Sequence, residues 1–532
     1  MKKFLAILLA IFVLLGLLTA CSSKEASETE ATTTTQNVED LIISAVSSAL
    51  ESAAHTSQTG GESSTTTGYT TGTSKNPTTG HTPNRTNAQL SNSVPTTFDT
   101  SKPVTITFYH TMGTMLRKVL DKYIKQFNKL YPNITINHEG VGSTSDLFYR
   151  LKTEISVNKQ PNIAYCYPDH VALYNQSNAV LPLDSLIDNT KTVTRADGKK
   201  EQIGLTNAQK ADFIPGFYNE GKVYGDGKMY TMPMAKATEV LYYNKTFFKK
   251  HNLTPPATWD EMEALCKKIK EIDPDCIPLG YDSASNWFIN MCMQQGSPYT
   301  SATGNHFLFN NEQNRAFVTR FRDWYQKGYV TTQELVGSFT SSLFAWAESE
   351  EDNCYMSIAS SGSATYYQPW EPNGAYRFDV GIATIPQVDP SNPKVILQGA
   401  SLCTFKNADP QEVMASWLFV KYLATAVEFQ AEYSMASGYM PVIKSAASNT
   451  TYKKFLSLAD GGAHITALSM KVCLEQASAY FAPPAFIGSD TARNQAEGLM
   501  LRCLSADAGG NISAMIQKVF EDAVAECKSQ AG

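Results

Sequence analysis

Histidine is scarce, eight in 532 residues, and no two stand four apart, so an H-E-x-x-H metal helix is absent. The ten cysteines include no C-x-x-C pair, which argues against a thiolate zinc site or a thioredoxin-type motif. G-x-S-x-G, G-x-G-x-x-G and EF-hand loops are missing as well. Residues 216–223, GFYNEGKV, nearly spell a phosphate loop, but Val223 stands where Ser or Thr would ligate Mg²⁺, and no clear strand precedes it. The net charge of -6 is spread along the chain, without the basic stripe that nucleic acid requires. Beyond the N-terminus no apolar run is long enough to span a bilayer. Carboxylates are plentiful, so a facing glycosidase pair stays open on spacing alone. Nothing calls for a metal or a cofactor.

What is present begins at the N-terminus. Lys2 and Lys3 precede an apolar run over residues 4–18, too short for a comfortable membrane span. It ends in Leu18-Thr19-Ala20-Cys21, which resembles a bacterial lipobox, with a cut after residue 20 and acylation of Cys21. Residues 1–20 are thus expected to be a lipoprotein signal peptide. Two or more acyl chains, at about 0.8 kcal/mol per buried CH₂, anchor stably. The chain is expected on the extracellular face of a bacterial cell membrane.

Residues 21–102 are rich in Ser, Thr, Gly and Asn, too poor in apolar side chains to offset ordering entropy. They read as a tether with an r.m.s. reach on the order of 50 Å. Within it Val38, Leu41, Ile42, Ala45, Val46, Ala49 and Leu50 keep a helical period and read as a transient helix.

Order is expected from Val104-Thr105-Ile106-Thr107-Phe108-Tyr109, a strand ending at His110. Residues 115–130 read as an amphipathic helix, residues 134–136 as a strand, 147–157 as a helix and 162–166 as a strand. This alternation implies parallel βαβ units, and some 430 residues of it exceed one core, so an α/β fold with two lobes is expected. Thr258 and Glu261 spell a capping box ahead of a helix, and Asp409-Pro410 opens another. Several of the scattered cysteines lie among apolar neighbours and read as small core residues.

A polyol site needs aromatic faces for its C–H side and polar groups for its hydroxyl edge, and sites in α/β sheets lie at carboxyl ends of strands. His110, Trp287, Ser360, Ser361, Tyr366, Tyr439 and Arg493 are candidates on that logic.

The run Leu241-Tyr242-Tyr243-Asn244-Lys245 and the segment Pro255-Pro256-Ala257-Thr258-Trp259-Asp260-Glu261 resemble the "YNK…PP-TW-E" region of the extracellular solute-binding proteins family 1, the carbohydrate-type receptors of ABC importers. Gly227-Lys228-Met229-Tyr230 and Ser437-Gly438-Tyr439-Met440-Pro441 match two further segments of that family. Within it, the "ASSGS" of residues 359–363 and Gln398-Gly399-Ala400-Ser401-Leu402 resemble the branch that binds glycerol 3-phosphate. The resemblance implies a two-lobed periplasmic-binding-protein fold of the maltose-binding type, with ligand contacts at Ser361, Gly399, Tyr439 and, across a one-residue gap, Arg493. The first-lobe half departs from the pattern. The family branch's glutamate falls near Pro168, with Asp169 beside it, and its hinge serines align with Ala235-Lys236-Ala237-Thr238.

Carried over, the resemblance places lobe I at 103–236 and 390–445 and lobe II at 237–389 and 446–532, with crossings near Ala237, near Val388 and after Tyr439. It implies a monomeric receptor that closes on a sugar, polyol or sugar or glycerol phosphate and hands it to membrane permease subunits, their ATPase being a separate chain. Two rivals are a lipid-anchored surface glycan hydrolase and a receptor that feeds signalling. The lipobox generates a direct test. Cys21→Ala should leave the protein unlabelled by radioactive palmitate and released from membranes or stalled in processing; labelling as in wild type would refute the anchor.

Overall fold

The computed structural model describes residues 94–531 apart from 346–353, 370–375, 461–463 and 508. Cys21, the expected signal peptide, residues 38–50 and the tether up to residue 93 lie outside the described residues. Order starts earlier than the composition suggests. Phe98 is buried and meets the Tyr131 ring edge-on at 6.4 Å between centroids, while Gln411 bonds the Asp99 backbone at 3.1 Å. The expected tether end at residue 102 is therefore too late; a single aromatic with a pocket to fill is enough to order its neighbours.

Two sheets carry the molecule. Strands β1 (Val104–His110), β2 (Ile134–Gly140) and β3 (Ile163–Cys166) come first, and a small ribbon of β4 (Thr192–Thr194) and β5 (Lys200–Gln202) follows. β6 (Thr231–Pro233) then leads into β7 (Ala237–Asn244), β8 (Leu279–Tyr281), β9 (Val330–Thr332), β10 (Met356–Ser360), β11 (Val380–Ala383) and β12 (Val395–Gln398). β13 (Ser401–Thr404) and β14 (Tyr480–Phe481) complete the set among the described residues. The first sheet has the order β2-β1-β3-β13-β6, and the second runs β14-β12-β7-β10-β8-β9 with β11 also on β7.

The local chemistry explains the elements. β1 alternates buried and half-buried positions, and its parallel partners β2 and β3 are reached through helices Thr114–Leu130 and Thr144–Ser156, as the βαβ pattern requires. The first helix buries Leu120, Tyr123, Ile124 and Phe127 at helical spacing. Ser143 opens the second with a reciprocal capping box to Asp146. The Thr258–Glu261 box opens helix Trp259–Ile272, and Asp409 caps Pro410–Thr425 with proline in its first turn.

The chain passes between the sheets at residues 234–236, where β6 gives way to β7, and at Gly399-Ala400, between β12 and β13. Met440 meets the first crossing, exchanging backbone hydrogen bonds with Lys236 at 2.6 and 3.2 Å. The return expected near Val388 is corrected by this topology. Leu397 and Gln398 pair with Thr238 and Ala237 in the second sheet, so residues up to 398 belong there and the crossing is at Gly399. Near residue 445 the contacts change sides. Ser445 bonds Asp212 and Ile443 bridges Phe213, whereas helix Ile465–Glu475 packs against β7 and β11.

Gly399 makes its crossing possible. Its φ is +113°, and a Cβ there would lie 2.7 Å from the Ala235 carbonyl and 3.0 Å from Lys236 Cα. Gly399→Ala should cost about 1–3 kcal/mol in backbone strain alone, read as a lowered midpoint in urea; an unchanged midpoint would show that the crossing tolerates a side chain.

Candidate functional site

A cavity of about 470 Å³ opens between the two sheets and is lined from both sides. From the first side come the N-terminal half of helix Thr144–Ser156, with Phe148 and Tyr149, and the start of helix Pro168–Tyr174 just after the carboxyl end of β3, with Tyr167, Asp169 and His170. From the second come Gln398 at the end of β12, Tyr299, and the opening turn of helix Ser489–Ser505 with Asp490 and Arg493. A smaller space of about 160 Å³ adjoins it, sharing Tyr167 and His170 and reaching Tyr439. Strand ends and helix starts thus converge where α/β sheets hold ligands.

Three expected site residues meet this space: Asp169 and Arg493 line the larger part, and Tyr439 the smaller. Burial pushes the Tyr439 phenol above its ordinary value, so it stays a hydroxyl donor at neutral pH. Gly399 lies at the crossing between Gln398, which lines the larger cavity, and Ala400, which lines the smaller.

Other expectations are corrected. Trp287 does not face the cavity. It is fully buried in the second lobe, stacked on Tyr281 at 5.1 Å and beside Phe321. Its helix, Ala284–Gln294, is buried on nearly every side, so an aromatic there reports packing. His110 is likewise enclosed. Its Nδ1 accepts from the Met112 backbone N–H at 3.1 Å, which leaves Nε2–H to donate to His138 Nδ1 at 2.8 Å, and His138 Nε2–H bonds Asp121 at 2.8 Å. Burial first, then His138 and Arg117, push the His110 imidazole down to about 3, so it is neutral at neutral pH. Ser361 is spent internally. Its Oγ accepts from the Thr238 N–H at 3.2 Å and its carbonyl accepts from Ser469 at 3.0 Å. Ser360 Oγ accepts from the Gly362 N–H at 3.3 Å, and the Ser360 carbonyl accepts from the Tyr242 hydroxyl. Neither serine lines the cavity, nor does the part-exposed Tyr366.

Arg493 is held by a partner the sequence did not suggest. Its guanidinium donates to Asn286 Oδ1 rather than to Asp490. Asn286 in turn donates through Nδ2 to Glu239 Oε1 at 2.9 Å and to Gln398 Oε1 at 3.1 Å. Glu239 also accepts from Tyr281 Oη at 2.6 Å and from Asn290 at 2.7 Å. Asn286 is the neighbour of Trp287, and one step around a helix turns a side chain by about a quarter turn, so Asn286 reaches the wall while Trp287 points inward. Gln398 was visible in the matched QGASL segment; Phe148, Tyr149 and Tyr299 carried no distinguishing signal.

Glu239 is 3% exposed, and burial pushes its carboxyl up to about 7 against the pull of these donors and of Arg493. A raised carboxyl stabilises the folded state in its protonated form. That contribution is complete below the unfolded value near 4.5 and is lost as pH climbs through about 7, an effect on the order of 3 kcal/mol. Wild type should therefore lose stability between about pH 5 and about pH 8 relative to Glu239→Gln; parallel stability–pH curves for the two would show that Glu239 does not titrate in that window.

A family model described as bacterial extracellular solute-binding protein matches residues 122–456. The sn-glycerol-3-phosphate-binding periplasmic protein UgpB of Escherichia coli (strain K12) is 25% identical over 372 residues, 66% of this chain and 77% of that protein. UgpB from Mycobacterium tuberculosis, solved in complex with glycerophosphocholine, has a TM-score of 0.61 at 16% identity, over 80% of this chain and 99% of that one. The cyclic alpha-maltosyl-1,6-maltose binding protein from Arthrobacter globiformis has a TM-score of 0.62 at 19% identity, over 80% of this chain and 100% of that one. The structural likenesses carry the fold, two lobes of the maltose-binding type about a hinge. The chain belongs to the bacterial extracellular solute-binding proteins; it is a solute-binding protein of the ABC-importer class, not an enzyme.

Proposed function

We propose that this protein captures a neutral sugar or polyol between its lobes, closes on it about the hinge, and delivers it to membrane permease subunits while Cys21 holds it to the membrane by lipid. One observation carries the ligand class: the cavity of about 470 Å³ sets the rings of Phe148, Tyr149, Tyr167 and Tyr299 around hydroxyl-binding groups from both lobes. Ring faces cover the C–H side of a sugar, while carboxylates and amides bond its hydroxyls. The charged side chains on the lining are Asp169, Glu220, Asp490 and Arg493, a preponderance of carboxylate that disfavours a dianion. Contacts from both sides favour the closed state, and the permease reads that state.

A second reading, a phosphorylated polyol, rests on Arg493 alone. A guanidinium meets phosphate bidentately, and UgpB of Escherichia coli is named for binding sn-glycerol 3-phosphate. The two readings part in one experiment. Thermal-shift screening against sugars, polyols and their phosphates selects the tightest compound, whose affinity is measured for wild type and Arg493→Ala at low and high salt. For a neutral sugar the substitution should change affinity little and salt should hardly matter. For a phosphate it should cost on the order of 2–5 kcal/mol, with strong salt dependence.

A further inference from the structure

We infer that Glu220 is a ligand contact: its carboxylate accepts a hydroxyl of the bound sugar or polyol at the hinge end of the cavity, held in place by the buried ammonium of Lys236. This rests on the reading of a polyhydroxylated ligand and adds to it a residue, an orientation and a tie to the hinge.

Glu220 opens a short 3₁₀ turn, Glu220–Lys222, behind helix Pro215–Asn219. It is 3% exposed, yet it lines the larger cavity. Its two oxygens are used unequally. Oε2 accepts from Lys236 Nζ and from the Ser401 hydroxyl at 2.8 Å. Oε1 receives no hydrogen bond from the described residues. Lys236 has no exposure, and its ammonium is saturated: it donates to Glu220, to the Gly399 carbonyl at 3.0 Å and to Ser401 Oγ at 2.8 Å. With three donors engaged, the lysine is not available to a ligand anion. What the pair offers the cavity is one carboxylate oxygen.

A carboxylate oxygen at the edge of a ligand space asks for a donor, because a nearly buried acceptor left unmet is costly. A sugar or polyol hydroxyl supplies one, in a charge-assisted bond stronger than a neutral one. A phosphate or carboxylate does not, so that end of the cavity rejects anions. A ligand bearing an anionic group has to turn it away from Glu220 and toward Arg493. The contact also reaches the hinge. Lys236 lies in the crossing between β6 and β7, bonds Met440 through its backbone, and holds Gly399 of the other crossing through its ammonium. A hydroxyl seated on Glu220 therefore bears on the group that joins these segments.

The alternative is that Glu220 serves only as the counter-ion of Lys236. Replacing both, Glu220→Met with Lys236→Met, removes the pair without leaving a buried charge alone, so the fold is expected to survive. Because it also frees the Gly399 carbonyl, Glu220→Gln with Lys236→Met, which keeps an amide oxygen for the cavity, is the control and should bind more tightly than the double methionine variant. Maltotriose and sn-glycerol 3-phosphate are titrated calorimetrically into the mature wild-type chain and both variants, with a melting curve of each. Whichever compound binds wild type should bind the double methionine variant roughly tenfold or more weakly. Equal affinity would overturn the inference. Separately, wild-type crystals soaked in molar glycerol should show a glycerol hydroxyl within hydrogen-bond distance of Glu220 Oε1; an Oε1 that meets only water would overturn it too. If neither titrated compound binds wild type, the tightest compound of the thermal-shift screen takes their place in the titration; a screen without any binder would be the failure of the proposed ligand class, and the glycerol soak still decides the role of Glu220.

Discussion

The ion pair between Lys236 and Glu220 sits where the chain leaves one sheet for the other, and the geometry of the cleft follows from it. A buried ammonium has to be matched by a carboxylate and by acceptors, since breaking such a pair leaves an uncompensated charge at a cost of about 3–5 kcal/mol. The matching groups come from separated parts of the chain: Glu220, Gly399 and Ser401, with Met440 on the backbone of Lys236. Fixing Gly399 fixes Gln398 on one side of it and Ala400 on the other, each a wall of the ligand space. Fixing Met440 fixes its neighbour Tyr439. A buried lysine in the crossing makes this hinge answer to electrostatics.

The second lobe repeats the device at one remove. Glu239 stands near the start of β7, just past the hinge, and its carboxyl is linked to Arg493 through the amide of Asn286. Asn286 suits the relay because its amide accepts from the guanidinium and donates to the carboxylate. The guanidinium is thereby aimed along the wall while still lining the cavity. Lys236 is partnered directly by the Glu220 carboxylate, whereas Arg493 is held by the Asn286 amide, with the Glu239 carboxyl one step behind it.

Much of the scaffold was legible. Capping boxes, proline at a first helical turn and the strand–helix alternation are local signals, and each element they announced is present. The family was legible as well, because the Asn244-Lys245 and Thr258-Trp259 segments are framework residues set by the fold. The ligand side was harder to read, for physical reasons. Trp287 and Asn286 lie on a helix buried almost all round, where no polar face marks a direction. The boundary at Gly399 was hidden because VILQ and SLCT are both buried short strands, and composition does not say which sheet a buried strand joins. Ser361 matched its motif in sequence, yet its hydroxyl is taken by the backbone of Thr238. A motif fixes where a residue stands along the chain, whereas its contacts depend on what the rest of the fold leaves unsatisfied.

The cysteines show the same logic in a different currency. All nine described cysteines are buried and unpaired. The reactive species of a thiol is its thiolate, and a thiolate is disfavoured wherever its solvation is lost. Burial pushes Cys276, Cys354, Cys473, Cys503 and Cys527 up to about 12, and Cys166, Cys266 and Cys292 well above their ordinary value. Such groups serve as small core hydrophobes of the kind their apolar neighbours suggested. For an extracellular protein this has a consequence. Exposing these thiols would invite exchange and oxidation, so the integrity of both lobes and the inertness of their cysteines rest on the same packing. Cys166 makes the point at closest range, for it lines the smaller space beside Tyr439 and bonds the Ser401 carbonyl at 3.3 Å. Its chemistry is kept quiet one residue from Tyr167, where the wall of the ligand cavity begins.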